Sequence, residues 1–263
     1  MPTGTYLDRI LDHHRQMAAS DSRSTTGLVA SARRLPVARG FVAALRAGDR
    51  LAVISEIKRR SPSKGDLNAH LDPAEMARAY ERGGASCLSV LTDAEYFGGS
   101  VADLQTARKA CSLPVLRKDF TISANDVCDA RLIGADCVLL IAAALGADEL
   151  IDLHALAIDI GLDVLVEIHD EPELELAVAA GATCIGVNQR DLVTFEVDCA
   201  RAVRMADLIP AGVVRVAESG VRGAADAAAL HAAGYQAVLV GETLVTASDP
   251  ARAIERLRGT RHL

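Results

Sequence analysis

The sequence contains no tryptophan and only four tyrosines and four phenylalanines among its 263 residues. Hydrophobic residues still make up 50% of the chain, so we expect a large core built from aliphatic side chains. The N-terminus lacks the apolar segment of a signal peptide. The longest apolar run, residues 137–147, is too short to span a bilayer. These absences indicate a chain that neither crosses a membrane nor binds one.

Basic surface character is missing as well. The formal net charge is −7, and no run of lysines and arginines alternates with aromatic residues, so nucleic acid is not an expected partner. None of the six cysteines forms a C-x-x-C pair, and Cys87, Cys137 and Cys184 lie in apolar runs. Buried free thiols are the better interpretation, which favours a reducing, cytoplasmic location. The seven histidines lack metal-ligand spacing, so no metal site is predicted.

From residue 51 onward the chain alternates between short apolar runs and helical segments. The strand-like runs are 51–58, 87–91, 114–118, 137–141, 163–168, 184–188, 213–218 and 237–240. Alanine-, leucine- and glutamate-rich stretches with helical period lie between them. Glycines at 84, 134, 181 and 234 each follow such a stretch at intervals of about 50 residues, where glycine suits the left-handed cap that ends a helix.

Eight strand–helix units predict a (β/α)8 TIM barrel, formed by a single domain over residues 1–263. The rival fold, an open doubly wound sheet, favours a G-x-G-x-x-G motif after its first strand, and residues 51–65 contain none. Residues 1–48 precede the first strand and are predicted to be helical, because Leu7, Ile10 and Leu11 share one helix face. We expect this N-terminal helical extension to lie over the barrel mouth.

The first predicted strand continues into a polar loop. Glu56 and Lys58 share the face of Ile54, which predicts a charged pair at the inward-facing end of the strand. The S-P-S-K-G segment at 61–65 then offers hydroxyls, backbone N–H groups and a cation, which suit a phosphate. An ion pair at a strand end followed by a solvated turn would explain the same residues.

Four later strands end in polar residues that the alternation turns inward. They are Lys118, Glu167, Asn188 and Glu218. The carboxyl ends of the strands carry the active site in parallel barrels, so we expect these side chains to meet Glu56 and Lys58 at one mouth. Each alone would fit a structural ion pair or a solvated strand end. Together they would place cations and bases at fixed points in one cavity, because buried charges are costly unless paired.

The loops after the seventh and eighth strands predict a phosphate site. Ser219 and Gly220 follow the seventh strand, and Gly241 and Glu242 follow the eighth. Loops at these two positions often form the phosphate cradle of a barrel, and Ser61 could join them. Glu242 is an awkward neighbour for an anion, so only its backbone N–H is expected to face the phosphate.

Six segments together resemble the indole-3-glycerol phosphate synthase family. They are 54–65, L-S-V-L-T at 88–92, L-R-K-D-F at 116–120, L-V-E-I-H at 165–169, I-G-V-N-Q-R-D-L at 185–192 and A-E-S-G at 217–220. The resemblance runs from about residue 6 to the end of the chain. Two departures are Gln189, where asparagine is commoner in the family, and the G-E-T segment at 241–243, where the family varies.

The resemblance implies a lyase of tryptophan biosynthesis. Its reaction closes 1-(2-carboxyphenylamino)-1-deoxyribulose 5-phosphate to indole-3-glycerol phosphate with loss of CO2 and water. By the same resemblance, Lys118 is the general acid at the ribulose carbonyl. Lys58, paired with Glu56, holds the substrate carboxylate and assists the dehydration. Glu167 is the acid and base of the later proton transfers.

Further roles follow from the same resemblance. Asn188 and Glu218 are expected to position the anilino nitrogen and the sugar hydroxyls. Arg190 is expected either to support the residues that contact the substrate or to place a positive charge near the phosphate. An apolar slot for the anthranilate ring is expected from Phe120, Leu139, Ile141 and Leu192. Plain barrel core is an equally good interpretation for Leu139 and Ile141. The reaction needs no metal or organic cofactor, and other tryptophan-pathway enzymes are conceivable partners.

Two other classes of function stay open at this point. A class I aldolase would use a barrel lysine as a Schiff base on a similar phosphorylated ketose. A non-catalytic phosphate-binding barrel could act only as a member of an enzyme complex. Formation of an indole product from the anilino substrate separates both from the lyase.

Overall fold

The computed structural model describes residues 5–61 and 64–259. Its strands are β1 (Ala52–Ile57), β2 (Arg60–Ser61), β3 (Gly65–Asp66), β4 (Cys87–Leu91), β5 (Val115–Lys118), β6 (Cys137–Ile141), β7 (Asp163–Ile168), β8 (Cys184–Asn188), β9 (Val214–Glu218) and β10 (Ala237–Val240). Strands β2 and β3 form a small hairpin in the first loop, of whose S-P-S-K-G segment Pro62 and Ser63 lie outside the described residues. The other eight strands are parallel and close into the predicted barrel, with β10 paired to β1.

Helices of the N-terminal extension precede the barrel, and most of the later helices connect its strands and cover its outside. They are α1 (Tyr6–Ser20), α2 (Thr25–Ala32), α3 (Phe41–Arg46), α4 (Pro73–Arg82), α5 (Val101–Ala110), α6 (Ala124–Leu132), α7 (Ala147–Asp159), α8 (Glu171–Ala179), α9 (Arg201–Met205), α10 (Ala224–Ala232), α11 (Glu242–Val245) and α12 (Pro250–Arg258). Several begin at an Asp or Ser whose side chain accepts a backbone N–H of the first turn, as Asp72 does for α4. Within the described ranges, no helix has both the length and the apolar character that a membrane crossing requires.

The alternation along each strand divides the core into two layers. One layer lies between the barrel and its helices, and the other fills the barrel interior with residues such as Ile54, Leu116 and Leu165. The glycines at 84, 134, 181 and 234 have positive φ angles between 79° and 98°, as predicted for helix ends that turn into strands. Cys137 and Cys184 are buried free thiols inside the barrel, which confirms that expectation.

The N-terminal extension contacts both ends of the barrel. Helix α1 borders the mouth, where His14 Nε2 lies 3.0 Å from Asp93 Oδ2 and the Tyr6 ring packs on Phe195. Helix α3 lies at the opposite end, because Phe41 is fully buried among inward-facing residues there. The sequence-based expectation placed all of residues 1–48 over the mouth, but within the described part of the extension only α1 borders it. Whether the extension covers bound substrate stays a prediction.

Candidate active site

A cavity of about 480 Å³ opens at the carboxyl ends of the barrel strands. Its wall contains the residues that the sequence assigned to individual roles: Glu56, Lys58, Ser61, Lys118, Phe120, Leu139, Ile141, Glu167, Asn188, Arg190, Leu192, Glu218, Ser219, Gly220, Gly241 and Glu242. Closure of a parallel barrel brings the carboxyl ends of all its strands to the same end, so residues from distant parts of the chain meet there.

Lys118 is the cation at the centre of the buried cluster. Its Nζ lies 2.6 Å from Glu167 Oε2 and 3.1 Å from Glu218 Oε2, and both carboxylates are buried. Burial lowers the pKa of Lys118, but the charges of Glu167, Glu218 and Glu56 outweigh burial and raise the pKa well above the ordinary value. Lys118 is therefore a protonated donor at neutral pH.

The two glutamates beside Lys118 have opposite protonation preferences. Burial raises the pKa of Glu167, but the charges of Lys118 and His169 bring it below the ordinary value, so this carboxylate is ionised. Burial raises the pKa of Glu218, and the nearby Glu167 carboxylate adds to this although Lys118 opposes it. Neighbouring carboxyl groups whose pKa values are driven apart can serve as a base and as a proton holder.

A second charged pair lies on the β1 side of the cavity. Lys58 Nζ is 2.6 Å from Glu56 Oε1, and Glu56 is only 4% exposed. A Cβ atom at position 241 would clash with the Glu56 carboxylate and lie 3.1 Å from Lys58 Nζ. Glycine at 241 therefore allows the loop after β10 to pass directly over this pair.

The loop after β9 has an unusual backbone conformation. Ser219 has φ 64° and Gly220 has φ 73°, both in the left-handed region that residues other than glycine seldom adopt. Gln189 Nε2 donates a hydrogen bond of 2.8 Å to the Ser219 carbonyl and holds the turn. A Cβ atom at Gly220 would lie 2.8 Å from Val197 Cγ1, so glycine is required for this close approach.

The first loop, which follows β1, contacts the loop after β10 at the edge of the cavity. The Lys64 ammonium forms an ion pair with the Glu242 carboxylate. The Lys64 backbone N–H donates to Ser61 Oγ at 3.2 Å. The carboxylate of Glu242 therefore has a cationic partner in this structure, which accounts for an acidic side chain beside a predicted anion site.

Asn188 connects the buried charged cluster to the loop after β8. Its Nδ2 donates to Glu167 Oε1 at 3.0 Å, and its Oδ1 accepts the backbone N–H of Arg190 at 3.0 Å. The Arg190 guanidinium donates to the Phe195 carbonyl at 2.9 Å. Arg201 donates to the Asn188 carbonyl at 2.9 Å. These contacts fix the amide of Asn188 and make Arg190 a support for the loop.

An apolar wall lies beside the charged groups. Leu139 belongs to the barrel interior, and Phe120 and Leu192 pack against that interior at the mouth. Phe97 extends the wall, with its ring centroid 6.2 Å from that of Phe120. The arrangement is an apolar surface next to an ammonium group and two carboxyl groups.

Sequence reasoning assigned no role to Phe97 or His169. Phe97 follows β4 in a loop without periodicity, so its direction is not encoded locally. His169 lies two residues after Glu167, on the same face of an extended chain. That spacing is a signal that could have identified His169, whose Nε2 lies 3.7 Å from Glu167 Oε1.

Comparisons with known proteins agree on one family. The family profile described as "Indole-3-glycerol phosphate synthase" matches residues 7–257. The indole-3-glycerol phosphate synthase of Mycobacteroides abscessus is 49% identical over 259 residues, covering 98% of this chain and 95% of that protein. Indole-3-glycerol phosphate synthase 2 of Streptomyces coelicolor is 51% identical over 245 residues, covering 93% of each.

A solved structure with little sequence similarity supports the fold alone. The thiamine phosphate pyrophosphorylase of Pyrococcus furiosus superimposes with a TM-score of 0.59 at 17% identity. The match covers 79% of this chain and 93% of that one. The fold is therefore the eight-stranded barrel already described.

Proposed function

This chain belongs to the indole-3-glycerol phosphate synthase family, and we propose how its own residues carry out the reaction of that family. The protein closes 1-(2-carboxyphenylamino)-1-deoxyribulose 5-phosphate to indole-3-glycerol phosphate, with loss of CO2 and water, in tryptophan biosynthesis. The observation that carries the assignment of residues is the position of Lys118, a cation held between Glu167 and Glu218 at the cavity wall.

Lys118 acts as the general acid of ring closure. The aromatic carbon that bears the carboxylate attacks the ribulose carbonyl carbon, and the carbonyl oxygen takes a proton from the Lys118 ammonium. The carboxylate then leaves as CO2, and its bonding electron pair restores the aromatic ring. The raised pKa of Lys118 supports this role, because a protonated amine can donate a proton but cannot attack a carbonyl.

A Schiff-base mechanism, as in a class I aldolase, would require Lys118 as a neutral amine. Two glutamates within 3.1 Å favour the charged form instead. Borohydride treatment during turnover, followed by intact mass measurement, tests this point. We expect no adduct, and a stable adduct on Lys118 would overturn its role as an acid.

Glu167 carries the proton transfers of the dehydration. The Glu167 carboxylate takes a proton from the substrate carbon that carries the anilino nitrogen, and the C–H electron pair forms the ring double bond as the C–O bond of the neighbouring hydroxyl breaks. Glu167 delivers its proton to the departing hydroxyl, which leaves as water. Lys58 assists from across the cavity, since β1 and β7 lie on opposite sides of the eight-stranded barrel. The low pKa of Glu167, caused by Lys118 and His169 against the effect of burial, supports its ionised resting state.

The remaining polar residues bind and orient the substrate. Lys58, paired with Glu56, takes the substrate carboxylate until it leaves as CO2. Asn188 and Glu218 position the anilino nitrogen and the sugar hydroxyls, because both side chains are buried beside Glu167 and Lys118. Arg190 supports the neighbouring loop.

Two further surfaces complete the proposed binding mode. The anthranilate ring lies against an apolar wall of Phe97, Phe120, Leu139 and Leu192. The phosphate is bound by Ser61, Ser219, Gly220, Gly241 and the backbone N–H of Glu242. The left-handed backbone at 219 and 220 supports this location, because successive left-handed residues can turn N–H groups toward an anion.

We also propose one domain for residues 1–263, with residues 1–48 as its extension. Buried free thiols support a reducing, cytoplasmic compartment. Association with other enzymes of tryptophan biosynthesis is a further proposal, which co-purification of the full chain with those enzymes would test.

The assignment of residues is tested by turnover of the purified chain with the anilino substrate, followed as indole-3-glycerol phosphate formation. Single replacements of Lys118 and Glu167 are each expected to lower kcat by about 10²–10⁴-fold while leaving the fold intact. Parental turnover in either variant would remove that residue from the mechanism.

A further inference from the structure

The proposed mechanism gives no role to His169, a largely buried titratable side chain beside Glu167. His169 follows β7 directly, and its imidazole is 12% exposed. Its Nε2 lies 3.7 Å from Glu167 Oε1, and its Nδ1 lies 3.0 Å from Glu173 Oε2. The imidazole therefore lies between a catalytic carboxylate and a second carboxylate outside the cavity wall.

Glu173 fixes the orientation of the ring. It lies in the first turn of α8, where Asp170 caps its backbone N–H at 3.0 Å. Glu173 Oε2 accepts the His169 backbone N–H at 2.7 Å as well as contacting Nδ1. Because this carboxylate can only accept, Nδ1 carries a proton, and Nε2 points toward Glu167.

The Nε2 atom is buried and has no hydrogen-bond partner among the described residues. A neutral ring would direct a lone pair at the ionised Glu167, whereas a ring protonated at Nε2 would direct a proton at it. The charged groups that influence His169 are Glu167 from β7, Glu173 from α8 and Arg201 from α9. Burial and Arg201 lower its pKa, and the two glutamates raise it above the ordinary histidine value.

We propose that His169 is a positioning residue that carries a proton beside Glu167 and is held there by Glu173. The imidazolium keeps the resting Glu167 ionised. When Glu167 has taken a proton from the substrate, the neighbouring positive charge makes the carboxyl a stronger acid. Glu167 then returns the proton more readily to the departing hydroxyl. This inference rests on the proposed role of Glu167.

The proposal predicts a specific pH dependence. As pH rises through the His169 pKa, the imidazolium is lost and kcat falls, which gives an alkaline limb with a midpoint above about 6.5. His169→Gln keeps a hydrogen-bonding side chain but cannot titrate. We expect kcat about 10-fold lower at pH 6.5, KM within about 2-fold, and this alkaline limb missing.

Two further variants sharpen the test. Glu173→Gln keeps an acceptor but removes its charge, so the alkaline limb should move to lower pH by about one unit. His154→Gln replaces a buried histidine of α7 that is not part of the cavity wall, and it should keep the parental kcat and profile. A merely structural role for His169 would change stability without removing the limb.

Nuclear magnetic resonance titration of the substrate-free protein measures the same coupling directly. The His169 imidazole should titrate above the ordinary histidine pKa, and its pKa should fall in both Glu167→Gln and Glu173→Gln. The inference would be overturned by an unchanged alkaline limb in His169→Gln, or by a His169 pKa that is the same in Glu167→Gln as in the parent. Parental turnover in Glu167→Gln would instead overturn the proposed role of Glu167, so the two failures are distinguishable.

Discussion

The two ends of the barrel both bury carboxylates but give them different partners. Away from the cavity, Asp136 accepts the backbone N–H groups of Arg39 and Val115 at 2.9 and 3.0 Å and the Arg108 guanidinium at 2.8 Å. At the mouth, Glu167 and Glu218 share Lys118. The Oε1 atom of Glu218 is buried with no hydrogen-bond partner in the described part of the chain.

We propose that this difference separates a structural carboxylate from carboxylates that take part in the reaction. Asp136 uses both oxygens on fixed donors, so a proton or ligand could reach it only by breaking those bonds, and its effect is to anchor the N-terminal extension. Glu167 and Glu218 face a cavity and share the Lys118 ammonium, and Glu167 also accepts the Asn188 amide. Burial is similar at both ends, and the kind of donor distinguishes them: Asp136 accepts two backbone N–H groups, whereas the donors to Glu167 and Glu218 in the described part of the chain are side chains.

The largest contrast is expected from replacing the cation at each end. Lys118→Met should lower kcat by about 10⁴-fold, because it removes the proposed acid and leaves two glutamates without their shared cation. Arg108→Met removes the corresponding cation near Asp136 and should leave kcat within about 3-fold. Steady-state formation of indole-3-glycerol phosphate measures both. A comparable loss in both variants would erase the distinction between the two ends.

The carboxylate of the structural end gives the next largest effect, on stability. Asp136→Asn should lower the free energy of unfolding by about 3 kcal/mol, because Arg108 is left without its charged partner and the backbone donors lose a charged acceptor. Urea denaturation measures the change, and kcat of the folded variant should stay at the parental value. Asp152→Asn, at an exposed position of α7, is the control and should change stability by less than about 0.5 kcal/mol.

The reactive end should instead make stability depend on pH. Burial, with a contribution from Glu167, raises the pKa of Glu218 to about 7, whereas an unfolded glutamate titrates near 4.3. The folded state therefore binds the extra proton, and this stabilisation is full below the unfolded pKa and lost as pH rises through about 7.

We expect the parental free energy of unfolding to fall by about 2 kcal/mol between pH 5 and pH 8 relative to Glu218→Gln. Urea denaturation at the two pH values measures this difference. Glu175→Gln, at an exposed position of α8, is the control and should keep the parental slope. An equal slope in the parent and in Glu218→Gln would mean that Glu218 does not hold the proton.

The smallest effect is expected at the phosphate loop. Gly220→Ala should raise KM by about 10-fold with little change in kcat, because the added methyl group meets Val197 Cγ1 at 2.8 Å and strains a backbone with φ 73°. Gly212→Ala is the matched control, since φ is 86° there and no heavy atom lies within 4 Å of the added Cβ. Both variants should lose stability, but only the first should change KM. Equal KM values would locate the phosphate elsewhere.

The barrel itself was determined by local sequence pattern. Alternation of apolar and polar residues predicted eight strands and their inward faces, because successive side chains of a strand point to opposite sides of the sheet. Glu56, Lys118, Glu167, Asn188 and Glu218 could therefore be predicted to line one mouth. The glycines that end helices could also be predicted, because the left-handed backbone conformation at a helix end favours glycine whatever the rest of the fold.

Only the tertiary structure decided which charges pair between distant strands, whereas the Glu56–Lys58 pair was predicted from the shared face of one strand. Lys118 contacts Glu167 and Glu218, which are 49 and 100 positions away along the chain. Asp119, its neighbour in sequence, pairs instead with Arg117 at 2.9 Å. The same holds for the Lys64–Glu242 pair and for the place of α3 at the end opposite the mouth. Ion pairs between strands far apart in the sequence, and the docking of α3, depend on distances set by barrel closure, which the local sequence pattern does not encode.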